Sequence, residues 1–103
     1  MGDVLVRIKQ AVLAGRLILS EKAREETLLD GLTELDVVES IANAPAISKR
    51  LRSTSSRRAA GKEYLYVIQS PNLHGVVIYT KGKLVKKDFS ETFYILVSSK
   101  LAT

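Results

Sequence analysis

The chain is 103 residues long, the size of one domain, because domains cluster at about 100–150 residues. Its make-up, 46% apolar and 26% charged, is that of an ordinary soluble domain, and no apolar run approaches the ~18–20 residues that span a bilayer. The absence of Cys excludes a disulfide framework, Cys-ligated zinc, iron–sulfur clusters and thiol chemistry, and it suits a reducing compartment. The start, Met1-Gly2-Asp3, lacks the basic and apolar regions of a signal peptide, and Val6 stands where a myristoylation motif wants Ser or Thr. The expectation is a cytoplasmic, single-domain chain over residues 1–103 with no membrane partner.

Charge is unevenly spread. The formal net charge is +5 and the pI about 9.6. Residues 1–45 hold five Lys/Arg against eight Asp/Glu, whereas residues 46–103 hold eleven against three. An acidic side facing away from a basic side is expected, and a concentrated basic face is the footprint of phosphate binding.

In chain order, Asp3 can cap a first helix over 4–14, with Val4, Leu5, Ile8, Ala11 and Val12 on one stripe and Gly15 to end it. Arg16 to Leu19 reads as an extended link. Ser20 then caps a second helix over 21–30, stopped by Gly31. Thr33 caps a third, with Asp36 at the capping-box position and Leu35, Val38, Ile41 and Ala42 as the buried stripe. That helix must end before Pro45, because the residue preceding a proline is pushed out of the helical region.

From Ala46 the apolar period falls from 3.6 to 2. Strands are predicted over 46–52, with Ile47, Lys49 and Leu51 on one side, and over 63–69, 75–81 and 91–98. A polar loop at 54–61, a turn at Ser70-Pro71-Asn72 and another at Asp88-Phe89-Ser90 separate them, and Gly82 marks a turn or bulge before 83–87 continues as strand or edge. Helices first and strands afterwards, without βαβ alternation, predict an α+β fold with helices packed on one face of an antiparallel sheet. In the last strand Phe93, Ile95, Val97 and Ser99 form the more apolar set and are expected to face the helices. Lys100 then falls on the open face, beside Tyr79 if the two strands are antiparallel neighbours.

One His and no Cys leave no metal-ligand set in the strand half, and neither a nucleophile elbow nor a phosphate-cradling glycine loop occurs. No cofactor is expected. What remains is a group of cations, tyrosines and one imidazole: Lys49, Arg50, Arg52, Arg57, Arg58, Lys62, Tyr64, Tyr66, His74, Tyr79, Lys81, Lys83 and Lys100. Lys and Arg pair phosphates, Tyr stacks on bases or passes a proton, and RNA cleavage needs no protein nucleophile because the 2′-hydroxyl attacks the adjacent phosphate. Each residue also has a plainer reading: Tyr64, Tyr66 and Tyr94 as packed strand residues, His74 as a solvated turn residue, Lys86-Lys87 as a charged edge.

Three stretches, Gly15-Arg16, Gly75 to Lys83 (GVVIYTKGK) and Phe93 to Lys100 (FYILVSSK), resemble small bacterial toxins related to MqsR, within the wider RelE/ParE-like group. The resemblance implies a RelE-like sheet and a metal-independent endoribonuclease of a type II toxin–antitoxin system. Its substrate would be mRNA, free or on the ribosome, and its partner a cognate antitoxin. It also implies Lys49, Tyr79 and Lys100 as catalytic residues, with Tyr64 an alternative to Tyr79. Arg50, Arg52, Arg57, Arg58, Lys62, Tyr64, His74, Lys81 and Lys83 would bind RNA. The Trp-Gln-Asp-containing stretch of MqsR members is absent, with Arg57-Arg58 in its approximate place. Two other functions are open: a ParE-like protein, which shares the fold and inhibits DNA gyrase by contact, and a non-catalytic RNA-binding module, which the same charges support.

Overall fold

A computed structural model describes residues 2–52, 63–87 and 91–102. Local chemistry sets its three helices. The first, α1 (Gly2–Leu13), has Asp3 inside its first turn rather than as its cap, and it closes on Gly15 at φ 83°. There the Arg16 N–H donates to Ala11 O, five residues back, as a Schellman ending requires. The second, α2 (Glu21–Leu29), starts at Ser20, whose hydroxyl accepts from the Ala23 N–H, and ends on Gly31 with the equivalent Leu32-to-Thr27 bond. The third, α3 (Glu34–Ala42), carries the complete capping box of Thr33 and Asp36.

Five strands form one sheet in the order β1-β5-β4-β3-β2: β1 (Leu17–Leu19), β2 (Lys49–Arg52), β3 (Tyr64–Pro71), β4 (Val77–Lys87) and β5 (Glu91–Leu101). The fold is α+β, but the sheet is mixed. The predicted link after α1 is itself a strand, and Leu17, Ile18 and Leu19 run parallel to Tyr94, Ile95 and Leu96. The expected turn at 70–72 lies further on: β3 continues through Pro71, and Asn72 organises the reversal by accepting the His74 and Val76 N–H groups on its side-chain oxygen. Pro71 is tolerated because β2 pairs only residues 64–67 of β3, which leaves the outer side of Pro71 free of a ladder. Gly82 is not a turn, since β4 runs unbroken to Lys87. The predicted loop at 54–61 and turn at 88–90 lie outside the described residues.

The helices cover one face of the sheet, and the core there joins Ile8, Ala11, Val12, Val37 and Ile41 to Ile68, Tyr94 and Leu96. At roughly 1.5–3 kcal/mol for each large apolar side chain removed from water, this layer dominates stability. Two predicted stripes are corrected. In α3 the inward residues are Val37, Ser40 and Ile41, while Leu35 is exposed. In β5 it is Tyr94 and Leu96, not Phe93, Ile95 and Val97, that meet the helices.

Gly82 explains the second correction. A Cβ there would lie 2.8 Å from both the Tyr94 ring and Ile95 O. The glycine is therefore the notch in which the largest fully buried side chain rests. Register also slips at this point: Lys81 pairs Ser98, but Gly82 pairs Leu96, so β5 carries one extra residue, Val97. The bulge reverses the phase of β5, placing Tyr94 and Leu96 before it, and Ser99 after it, on the helix side. Ile47 is corrected as well: it precedes β2 and packs toward the helices, away from Lys49 and Leu51.

Beyond Leu19 the outer edge of β5 has no strand neighbour among the described residues, and α2 takes its place. Glu26 accepts the Ser99 N–H at 3.0 Å, Asp30 accepts the Leu101 N–H at 2.9 Å, and Thr27 donates to Ser99 O at 3.2 Å. Side chains thus satisfy backbone groups that would otherwise offer an open edge.

Candidate nucleic-acid interface

Residues paired across a ladder share a face, so the register maps the side of the sheet that carries no helix among the described residues. One row reads Gln69, Tyr79, Lys100, and the next Lys49, Val67, Lys81, Ser98. Further along come Lys83, Ile95 and Ile18, then Val85 and Phe93. The face is therefore basic and aromatic at one end and apolar at the other. Val67 is only 4% exposed although no helix covers it; it lies between Lys49 and Lys81, whose aliphatic stems can shield it.

Tyr79 and Lys100 are direct partners. The Lys100 ammonium stands 5.6 Å from the Tyr79 ring centroid, a cation–π contact that holds the charge over the ring. Lys81 is in the adjacent row, one pleat away. Lys49 shares the face but sits on β2, two strands from Lys81, or ~10 Å at the usual strand spacing. Two of the three predicted catalytic residues thus meet, and the third stands apart. Lys83 is engaged by Glu63 at 3.3 Å, at the boundary with the apolar end.

Other predicted residues lie elsewhere. Arg50 and Arg52 pair with Tyr66 and Tyr64 and point to the helix side of the sheet, at the β2 edge. The Arg50 guanidinium stacks 4.5 Å from the Tyr64 centroid, which removes Tyr64 from the neighbourhood of Lys100. His74 is exposed in the β3–β4 turn, where its backbone N–H donates to the Asn72 side-chain oxygen, away from Tyr79 and Lys100. Arg57, Arg58 and Lys62 lie outside the described residues. Tyr94 is a core residue: burial, then the Tyr66 phenol, pushes its hydroxyl pKa well above the usual range.

Glu26 is one of the acidic residues of α2, and its sequence context does not mark it out. Its carboxylate accepts from the Ser98 hydroxyl at 2.7 Å and lies 3.6 Å from the Lys22 ammonium. Burial raises its pKa, but the bonds from Ser98 and Ser99 and the charges of Lys22 and Lys100 outweigh this and hold the carboxyl below its ordinary range. The carboxylate therefore supports the strand that presents Lys100. Ser98 itself is 2% exposed and cannot reach a polymer on the open face. No sequence signal ties residue 26 to residue 98; only the docking of α2 on the β5 edge does.

Among the described residues no group of three or more His, Asp or Glu could hold a metal ion, and no helix is long and apolar enough to cross a membrane. Comparison of the chain with protein-family models, with curated proteins and with solved structures returns no match.

Proposed function

We propose that the helix-free face of the sheet binds single-stranded RNA and cleaves it, and that the chain is an mRNA-cleaving toxin with a RelE-like arrangement. One observation carries this reading: Tyr79 and Lys100 stand side by side on an uncovered sheet face, with Lys81 in the next row. Lysines at that spacing can neutralise a phosphodiester, and Tyr79 can stack on a base or pass a proton. In the reaction the 2′-oxygen bonds to phosphorus and the bond from phosphorus to the 5′-oxygen breaks. Tyr79 or a lysine takes the 2′-hydroxyl proton, a second group returns one to the leaving 5′-oxygen, and Lys100 stabilises the phosphorane.

The apolar end of the same face, with Ile18, Val85, Phe93 and Ile95, favours a protein partner there, for which a cognate antitoxin is the natural candidate. Incubating the chain with single-stranded RNA in EDTA tests the cleavage reading. Products ending in a 2′,3′-cyclic phosphate and a 5′-hydroxyl are expected. Binding should also weaken with salt at a log–log slope of ~0.7 per neutralised phosphate. Intact RNA, or cleavage that EDTA abolishes and Mg²⁺ restores, would refute the mechanism. Salt-independent binding would refute the face itself.

A further inference from the structure

On the other side of β2, outside the Tyr79–Lys100 site, a cleft of about 190 Å³ opens between the N-terminal part of α1 and the sheet edge. Val4, Ile47 and Tyr66 give it apolar and aromatic walls, and Ser48, Lys49 and Arg50 complete its lining. It is smaller than the ~300–1,000 Å³ of sites for drug-sized ligands, which suits a single ring system. Arg50 is held in place by its stack on Tyr64, and the Ser48 hydroxyl is oriented by accepting the Gln69 N–H at 3.3 Å. Lys49, Arg50 and Arg52 put three cations into four residues of this outermost strand. A flat aromatic wall and a fixed guanidinium beside it recognise a flat, π-rich group that carries negative charge.

We propose that this cleft binds one nucleobase together with its phosphate, the base against Tyr66 and the phosphate on Arg50. The nucleotide can come from a single-stranded RNA or as a free mononucleotide. The RNA source rests on the proposed function: β2 is the sheet edge, and Lys49 faces the open side while Arg50 faces the cleft. A strand leaving the open face over that edge would enter the cleft next.

The test titrates the full chain with AMP, adenosine and inorganic phosphate while following backbone and methyl NMR signals. Saturable shifts at Val4, Ile47 and Tyr66 are expected from AMP, weaker ones from adenosine and none from phosphate. Arg50 is exposed, so Arg50→Gln should fold normally and weaken AMP binding at least ~5-fold, in line with the loss of one stacking and charge contact. Ile47→Trp, which fills the cleft, should abolish it, and Arg7→Gln on α1 is the control for charge alone. A parallel titration with a non-cleavable single-stranded RNA separates the sources. An Arg50→Gln loss on RNA larger than that of Arg7→Gln assigns the cleft to RNA, and an AMP effect without an RNA effect assigns it to a free nucleotide. Tyr79→Phe should leave AMP binding untouched, so AMP binding by a chain that ignores RNA keeps the cleft and discards the open-face reading. Absence of AMP shifts, together with equal RNA losses in Arg50→Gln and Arg7→Gln, would overturn the proposal. So would displacement of AMP by an acidic peptide or phosphate at equal concentration.

Discussion

The two faces of the sheet are built from the same strands yet obey different rules. On the covered face every large side chain is constrained by a neighbour: Tyr94 lies in the Gly82 notch, and Leu96 and Ile68 meet Ile8 and Ile41. On the open face Lys100 stands over the Tyr79 ring and Lys81 lies in the next row, with no helix of the described residues packed on them. Substitutions on the first face should therefore be read in stability and on the second in activity, and departures from that division would locate errors in the account.

The largest effects come from crossing the two readouts. Lys100→Ala and Tyr79→Phe are expected to lower RNA cleavage by ~10²–10⁴-fold, the usual contribution of a proton-transfer group. Both should shift unfolding by less than about 0.5 kcal/mol, since Lys100 is exposed and Tyr79→Phe keeps the ring. Leu96→Ala, four residues from Lys100 but on the covered face, should cost about 2–5 kcal/mol in denaturant unfolding. A Lys100→Ala chain that unfolds early, or a Leu96→Ala chain of normal stability, would erase the distinction. Next in size is Gly82→Val. Any Cβ at that position meets the Tyr94 ring and Ile95 O, so about 1–3 kcal/mol of overpacking is expected from thermal or urea melts.

How far the sequence carries this picture depends on the range of the interaction concerned. Helix ends were legible because Ser20, Thr33 with Asp36, Gly15 and Gly31 act on atoms within a few residues. The placing of Tyr79 beside Lys100 was legible as well, once the two strands were taken as antiparallel neighbours. The parallel strand β1 was not, because three apolar residues acquire a partner only from β5, late in the chain. Nor was the phase of β5: Phe93, Ile95 and Val97 look as apolar as Tyr94 and Leu96, and the deciding features are a bulge and a glycine notch on another strand. Lys100 lies on the open side because of the bulge, since alternation from Leu96 alone would turn it toward the helices. Arg50 and Lys49 are adjacent in sequence and fall on opposite faces, so a list of basic residues could not divide the open face from the cleft.

Smaller effects sharpen the comparison at the seam between the faces, where α2 closes the β5 edge. The Glu26 carboxyl is held below the ordinary Glu range, so its contribution to stability is present above that range and disappears as pH falls through the lower folded value. Melting temperature against pH should therefore decline below about 4.5 in the native chain, using the ordinary Glu range as reference. Glu26→Gln should be less stable at neutral pH and converge with the native chain in acid. Parallel curves would show that the contact with Ser98 and Ser99 has no charge-dependent component. Smallest is Ser99→Ala. The Ser99 hydroxyl is buried without a hydrogen-bond partner among the described residues, and deleting such a group relieves an unmet desolvation cost, so stability should rise by up to about 1 kcal/mol.

The central claim, that RNA lies on the helix-free face, is tested most directly by methyl NMR during titration with a non-cleavable single-stranded RNA. Methyl groups report on one face at a time, which backbone amides do not. Shifts are expected at Val67, opposite Lys81, and at Val77, two residues from Tyr79 on the same face, with Ile8, Val37 and Ile41 unmoved. Shifts concentrated at the helices, or a spectrum unchanged at saturating RNA and low salt, would contradict it.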